Sequence, residues 1–282
     1  ALAVREDHFA FDGRTRPEEL ELMFQLLQAH LQDPVFRPEA LELALARHRQ
    51  DYERLQRTVE GALSLHGQRF LAGGDPRFGL APADVVEGMA LEEVAGALTP
   101  LLAQAPLELS IVGDVALEAL WPLADRYLGG LPPRAASDPA HPAPPAFPVG
   151  RRLEVQVPTE IPKALVVVAY PTEDIWDIGR TRRLNLLADV FSERLREQIR
   201  EKLGAAYGVQ AFNLPGRAFP GYGRMLVLLT VDRPQVPAIV AEIQRLAEGL
   251  AREGVQPEEF RRAINPSLAG IKDLLQANRY WL

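Results

Sequence analysis

At 282 residues, with 47% hydrophobic and 24% charged residues, the sequence has the composition of a folded globular protein. A formal net charge of −7 excludes the basic surface typical of nucleic-acid-binding proteins, and no apolar run approaches the ~20 residues that a membrane-spanning helix needs. Cysteine is absent, which excludes disulfides, thiolate nucleophiles and sulfur-bound metals. The sequence does not determine the cellular compartment. If the source is bacterial, we expect a soluble protein of the cytoplasm or the periplasm.

The first part of the chain predicts mostly helix. Ala3–Phe11 alternates weakly, as a strand does, and the stretch Thr15-Arg16-Pro17-Glu18 has the form of a capping box with proline in the first turn. Apolar residues at spacings of three and four then predict a helix that ends before Asp33-Pro34. Further elements are expected as helix from about Glu39 to Phe70, helix over Leu91–Leu102, a short apolar strand at Leu107–Val112 and helix over Leu117–Leu128.

Residues 134–148 contain five prolines and differ in composition from the rest of the chain. Such a segment favours an extended connector, so we place a domain boundary in it. The predicted layout is a partial, helix-rich domain at 1–133, a linker at 134–148 and a second domain at 149–282. The first domain is expected to be incomplete, and the second to be truncated at its end.

The second half predicts strands and long helices. Leu153-Val155-Val157 alternates, Ala164–Tyr170 is a β-branched run typical of a buried strand, and an apolar stripe from Leu184 to Ile199 marks a long helix. The remaining expected elements are strands at Tyr207–Asn213 and Met225–Val231, and helices at Val236–Ala251 and from Pro257 onward. This order predicts an α+β fold in which helices cover a sheet.

The histidines do not form a metal-binding pattern. None of His8, His30, His48, His66 and His141 has another histidine within four residues, whereas a zinc-binding peptidase helix needs two imidazoles on one face beside a glutamate. No serine lies in a G-x-S-x-G elbow either. We therefore predict no metal ligands and no bound cofactor in this segment.

The strongest candidates for chemistry are Arg200 and Tyr207. A helix that breaks at Gly204 before a strand folds back, so the two side chains can converge. A guanidinium and a phenol together can hold a carbonyl oxygen and stabilise the oxyanion that forms on it. On spacing alone, Arg200 could equally belong to a solvated charged helix face and Tyr207 could be an ordinary strand aromatic.

Leu195–Val209, which carries this pair, resembles the arginine/tyrosine segment of the pitrilysin/insulinase family of zinc metallopeptidases. Three further stretches resemble other segments of that family, in the same order: Ile111–Asp114, Leu128–Pro132 and Gly254–Phe260. The resemblance implies a mitochondrial-processing-peptidase-like fold. It also implies that Arg200 and Tyr207 bind the substrate carbonyl, and that the zinc and the general-base glutamate lie in a complementary HxxEH half.

We therefore interpret the sequence as a fragment, the non-metal half of a zinc peptidase, inactive alone. Its expected partners are the HxxEH half, on the same chain or a separate one, and an unstructured peptide substrate. Neither nucleic acid nor a membrane span is expected. Two alternatives remain: an inactive scaffold or assembly subunit of the same fold, and an unrelated α+β ligand-binding module.

Overall fold

The computed structural model describes residues 2–136, 143–203 and 208–282, without the side chains of residues 200–203 and 279. Helices predominate over two small antiparallel sheets. In chain order the elements are β1 Leu2–Val4, β2 Phe9–Phe11, α1 Leu20–Gln32, α2 Pro38–Leu55, α3 Val59–Ala62, a π-helical turn Leu63–Gly67, α4 Gln68–Leu71, α5 Ala83–Glu87, α6 Leu91–Gln104, α7 Leu117–Leu128, β3 Lys163–Thr172, α8 Ile178–Leu203, β4 Gln210–Pro215, β5 Gly223–Asp232, α9 Val236–Glu253, α10 Pro257–Leu275 and α11 Asn278–Trp281. No helix within the described ranges combines the length and the apolar character needed to cross a bilayer.

The described residues group into two compact units. The first unit contains the described residues within Ala1–His48, Ala83–Ala140 and Ile271–Leu282. The second unit contains those within Arg49–Pro82 and His141–Gly270. This grouping interleaves segments of the chain. The predicted domains at 1–133 and 149–282, with a linker at 134–148, stay a prediction.

The first unit is organised around α1, which packs against α6 and α7. Phe24 of α1 is fully buried and stacks on the ring of Tyr127 in α7, with 6.5 Å between ring centroids. The Tyr127 hydroxyl donates a hydrogen bond to Glu21 Oε1 at 2.7 Å, and Arg126 Nη1 donates to the same oxygen at 2.8 Å. Chiefly through the Tyr127 bond, these donors hold the pKa of Glu21 below its ordinary value.

Three sequence predictions for this unit are wrong. The strand predicted over Ala3–Phe11 is instead a hairpin, in which β1 and β2 pair antiparallel. Leu107–Val112 forms no strand, because the paired strands described in this unit are β1 and β2, which bond to each other. The capping box at Thr15 is also not formed. Arg16 is the N-cap of a short 3₁₀ turn that begins at Pro17, so Thr15 lies one residue too early and bonds weakly to the Arg16 carbonyl at 3.4 Å. The helices predicted at Leu91–Leu102 and Leu117–Leu128 are confirmed as α6 and α7.

The second unit is a three-stranded antiparallel sheet in the order β3-β5-β4, with α8 and α9 packed on one face. Alternate residues of β5 point to those helices, as the pleat of a strand requires. The centre of this core is fully buried and consists of Leu195, Ile199, Val227, Ile239 and Ile243. The α+β prediction, with helices on a sheet, is confirmed.

The strand predicted at Leu153–Val157 is absent from the structure. Its residues alternate as a strand's do, but a strand also needs a partner, and β3 is the first strand described after the linker. The strand predicted to start at Tyr207 is observed from Gln210. The segment between β4 and β5 is a hairpin connection, which is the role that its Gly- and Pro-rich sequence favours.

Candidate functional site: the α8–β4 junction

Helix α8 carries Arg200 close to its C-terminal end. Leu195 and Ile199 are both 0% exposed and pack in the core, so the backbone of α8 is fixed up to the residue before Arg200. Arg200 lies in the last turn of this helix, as the sequence predicts. Its side chain and the whole of Tyr207 lie outside the described part of the structure, so their convergence stays a prediction.

The chain is fixed again directly after Tyr207. Gly208 has a φ of 80°, a left-handed conformation that glycine adopts without steric cost, and Val209 is 2% exposed. Gln210 then starts β4, an edge strand of the sheet. The segment that carries Arg200 and Tyr207 is therefore held between two buried anchors, Ile199 and Val209.

Ser192 links α8, which carries Ile199, to β4, which begins directly after Val209. Its side chain is buried, and its Oγ accepts a hydrogen bond from the Ala211 backbone N–H at 2.8 Å. The same hydroxyl has the Ala188 and Ala211 carbonyls in reach, at 2.8 and 3.0 Å. One small polar side chain thus joins the middle of α8 to the start of β4.

A second polar link joins the same elements nearer the other end of β4. Asn213 Nδ2 donates to Asn185 Oδ1 of α8 at 3.0 Å, and Asn213 Oδ1 accepts from Thr172 Oγ1 of β3 at 3.1 Å. The two links fix the register of β4 against α8. A rigid scaffold of this kind is what a positioning site requires.

An ion pair fixes the outer side of α8. Arg194 Nε and Nη2 donate to the two carboxylate oxygens of Glu259 at 2.6 and 2.7 Å, with both side chains less than a fifth exposed. Arg194 Nη2 also donates to the Gly254 carbonyl, and Glu259 accepts from the Gln256 N–H at the start of α10. The Arg194 bond is the main reason that the pKa of Glu259 lies below its ordinary value.

Within the described residues no group of three His, Asp or Glu side chains is placed to hold a metal ion. His141 lies outside those residues. Of the others, His8 bonds to the neighbouring Asp7, and His30 bonds to the Leu26 carbonyl of its own helix. The side chains that are described do not fit a zinc site.

The family model described as the peptidase M16 inactive domain matches residues 102–266. The chain belongs to the peptidase M16 inactive-domain family. The match runs from the last turn of α6 to the middle of α10 and includes α8, β4 and the segment between them. The resemblance to the pitrilysin/insulinase peptidases that was drawn from Leu195–Val209 is confirmed.

Two curated relatives carry peptidase names. The chloroplastic stromal processing peptidase of Pisum sativum is 22% identical over 332 residues, which cover 100% of this chain and 26% of that protein. The probable zinc protease PqqL of Haemophilus influenzae is 23% identical over 224 residues, covering 75% of this chain and 23% of that protein. This chain thus spans about a quarter of the length of the curated relatives that it matches.

Solved structures agree on the fold. A peptidase M16 inactive domain from Pseudomonas fluorescens is 18% identical, with a TM-score of 0.70 over 90% of this chain and 61% of that one. The ferredoxin protease FusC, solved in complex with Arabidopsis ferredoxin, is 14% identical, with a TM-score of 0.67 over 93% of this chain and 29% of that one. The predicted peptidase fold is therefore confirmed.

Ser192 was missed by the sequence reasoning, which tested serines only for a nucleophile motif. The signal was present, because Ser192 lies on the apolar stripe of α8 between Ala188 and Leu195. A lone hydroxyl on a buried helix face needs a partner. The sequence does not name that partner, because Ala211 is on another element.

Proposed function

We propose that this chain is the substrate-positioning half of a zinc peptidase, acting in trans to a half that carries HxxEH. Membership of the peptidase M16 inactive-domain family supports this proposal, as does the lack of a metal-ligand cluster in the described residues. The observation that carries it is the anchored junction, in which Ile199 and Val209 are buried on either side of the Arg200–Tyr207 segment.

Arg200 and Tyr207 would act on the carbonyl of the peptide bond that is cleaved. A guanidinium is a charged donor and a phenol is a neutral one, so the two groups together can donate to one carbonyl oxygen. Donors that are held in place stabilise an oxyanion because they need no reorganisation when it forms. In this proposal the buried anchors and the Ser192 link supply that rigidity.

Zinc and its general-base glutamate would come from the complementary half, where bound zinc activates the attacking water. The name of the H. influenzae relative, a probable zinc protease, supports zinc chemistry in the complete enzyme. The FusC complex with ferredoxin supports a polypeptide substrate. β4 starts shortly after Tyr207 and is an edge strand, so its edge beyond Ala211, whose N–H is bonded to Ser192, would suit pairing with an extended peptide.

The alternative is an inactive scaffold or assembly subunit of the same fold. The family description as an inactive domain fits this role as well. The two proposals differ in what the chain adds to turnover.

The test combines this chain with the separately purified HxxEH half, taken from the same chain or from its partner subunit, and measures cleavage of an unstructured peptide. We expect no turnover and far less than one zinc per chain from this chain alone. The HxxEH half should retain its zinc and gain activity when the chain is added. A complex that forms without any gain in turnover would support the scaffold instead.

A further inference from the structure

Arg224 is a buried arginine on the sheet face opposite α8. It is the second residue of β5 and is 9% exposed, while its neighbour Met225 points into the core under the helices. Its Nη1 donates to Gln68 Oε1 at 2.9 Å. The guanidinium carbon lies 5.9 Å from the ring centroid of Phe78 and 5.6 Å from that of Tyr222.

One edge of this guanidinium is unused. Within the described residues Nε has no acceptor, and the hydrogen bonds of Arg224 use Nη1 alone. An arginine removed from water without a carboxylate costs several kcal/mol, so buried arginines are normally paired. The Nε–Nη2 edge has the geometry that binds a carboxylate through two parallel hydrogen bonds.

Two more arginines lie beside the same aromatic residues. Arg69 donates to the Phe78 carbonyl at 3.4 Å and to the Leu80 carbonyl at 3.3 Å, so its partners are uncharged. Arg77 lies 4.6 Å from the centroid of Phe219 and is neutralised by Asp75. Among the described ion pairs, Asp75 is paired with Arg77, and neither Arg69 nor Arg224 has a carboxylate partner.

The nearby carboxylate of Asp174 does not complete this group, because its oxygens are already occupied. It accepts from the Gly221 N–H at 2.7 Å and the Trp176 N–H at 3.1 Å, and it pairs with Arg180. These donors, with the Gly221 bond first, lower the pKa of Asp174. Asp174 therefore fixes the β4–β5 connection, and among the described side chains Arg224 has no carboxylate partner.

The walls around Arg224 are fixed by packing. Phe78 contacts Phe219 and Tyr222, with 5.4 and 5.6 Å between ring centroids. The Tyr222 hydroxyl donates to the Leu71 carbonyl at 3.3 Å, which ties the β4–β5 connection to α4. An arginine held between rigid rings loses little side-chain entropy when a ligand binds.

We propose that Arg224, with Gln68 beside it, forms a subsite for a carboxylate of a peptide. The carboxylate is that of an Asp or Glu side chain or of the peptide's C-terminus. In this proposal the carboxylate enters beside Nη2 and reaches Nε, which is buried in the unliganded chain, and the Gln68 amide group supplies one more donor. The proposal rests on the proposed function in taking a peptide as the ligand.

The experiment measures binding of short fluorescein-labelled Gly-Ser peptides to this chain alone by fluorescence anisotropy. Four probes combine one Asp or one Asn with a free or an amidated C-terminus. Charge-assisted hydrogen bonds give a preference of about tenfold to a hundredfold over the neutral Asn amide. The two single-carboxylate probes show which source the subsite takes.

Three variants test whether the preference for a carboxylate depends on Arg224. Arg224→Lys keeps the charge but loses the planar edge, so the preference should fall about tenfold or more. Arg233→Gln removes an exposed arginine at the far end of β5 and should leave the preference unchanged. Gln68→Glu places a carboxylate beside Arg224, so it should raise Tm and abolish the preference, which keeps the test decisive if Arg224→Lys fails to fold.

Equal binding of all four probes to the wild-type chain overturns the proposal. So does a Gln68→Glu variant that neither raises Tm nor weakens the preference. Both measurements use this chain without the zinc half. Their failure would therefore leave the turnover test of the proposed function untouched.

Discussion

Ser192 of α8 and Ala211 of β4 are hydrogen bonded through a buried hydroxyl, which accepts the Ala211 N–H at 2.8 Å and lies 3.0 Å from the Ala211 carbonyl. Between them in sequence lies the segment with Arg200 and Tyr207. This hydroxyl joins α8 to β4. The two elements that flank the Arg200–Tyr207 segment are therefore held together by a contact outside that segment. The Ser192–Ala211 hydrogen bond contributes to the stability of the fold, so it can be tested without any substrate.

Ser192→Ala should destabilise the chain. The substitution leaves the buried Ala211 N–H without its acceptor, a loss of about 1–3 kcal/mol in the free energy of unfolding. Urea denaturation measures this loss, and hydrogen exchange should show faster exchange at Ala211. Ser267→Ala, at an exposed position of α10, is the control and should change stability by less than about 0.5 kcal/mol. Equal stability of the two variants would show that the link carries no energy.

Glu259→Gln should destabilise the chain by about 1.5–3 kcal/mol near neutral pH, because Arg194 loses a charged partner in a mostly buried pair. The folded-state pKa of Glu259 is lowered from 4.5, so the pair contributes fully above that value. Its contribution is lost as the pH falls through the lowered pKa. The difference between wild type and variant should therefore shrink in acid, as denaturation at several pH values would show.

Glu258 provides the matched control for that prediction. It is adjacent in the chain and pairs with Arg261, but both side chains are mostly exposed. Exposed pairs contribute about 0–1 kcal/mol. Glu258→Gln should thus have a small effect at every pH. A loss as large as that of Glu259→Gln would mean that burial does not explain the difference.

The sequence predicts the helices better than the strands, for a physical reason. The spacing of apolar residues in α8 indicates which face of the helix is buried, so the sequence predicts this helix as far as Ile199. Leu107–Val112 and Leu153–Val157 also have the right local pattern, yet neither forms a strand. A strand depends on a neighbour that local pattern does not specify.

The site shows the same limit. Arg200 could be placed near a helix end because the glycine and the apolar stripe are local signals. The bond from Ser192 to Ala211 and the unpaired edge of Arg224 are tertiary facts, since each depends on residues far along the chain. Buried polar residues on apolar faces mark such positions in a sequence without naming their partners.

The proline-rich segment remains a prediction about domain organisation. Limited proteolysis should cut first between Arg134 and Pro148, because a proline-rich connector has few side chains to bury. Mass spectrometry of the first fragments would locate the cut. The control region is α8 from Leu184 to Ile199, whose buried face should resist cleavage. Early cutting there, with the connector intact, would contradict the predicted domains.

Arg200 and Tyr207 are tested in the reconstituted or full-length enzyme, with zinc content held equal between variants. Tyr207→Phe removes one donor to the developing oxyanion and should lower turnover ~10²–10³-fold, with little change in Tm. Arg200→Lys keeps the charge but loses the planar fork, so turnover should also fall sharply. Arg196→Lys, one turn earlier on α8, is the matched control and should stay near wild type. If Tyr207→Phe and Arg200→Lys both leave turnover within about twofold while folding is intact, far below the loss expected of an oxyanion donor, the pair is structural and the scaffold proposal replaces the catalytic one.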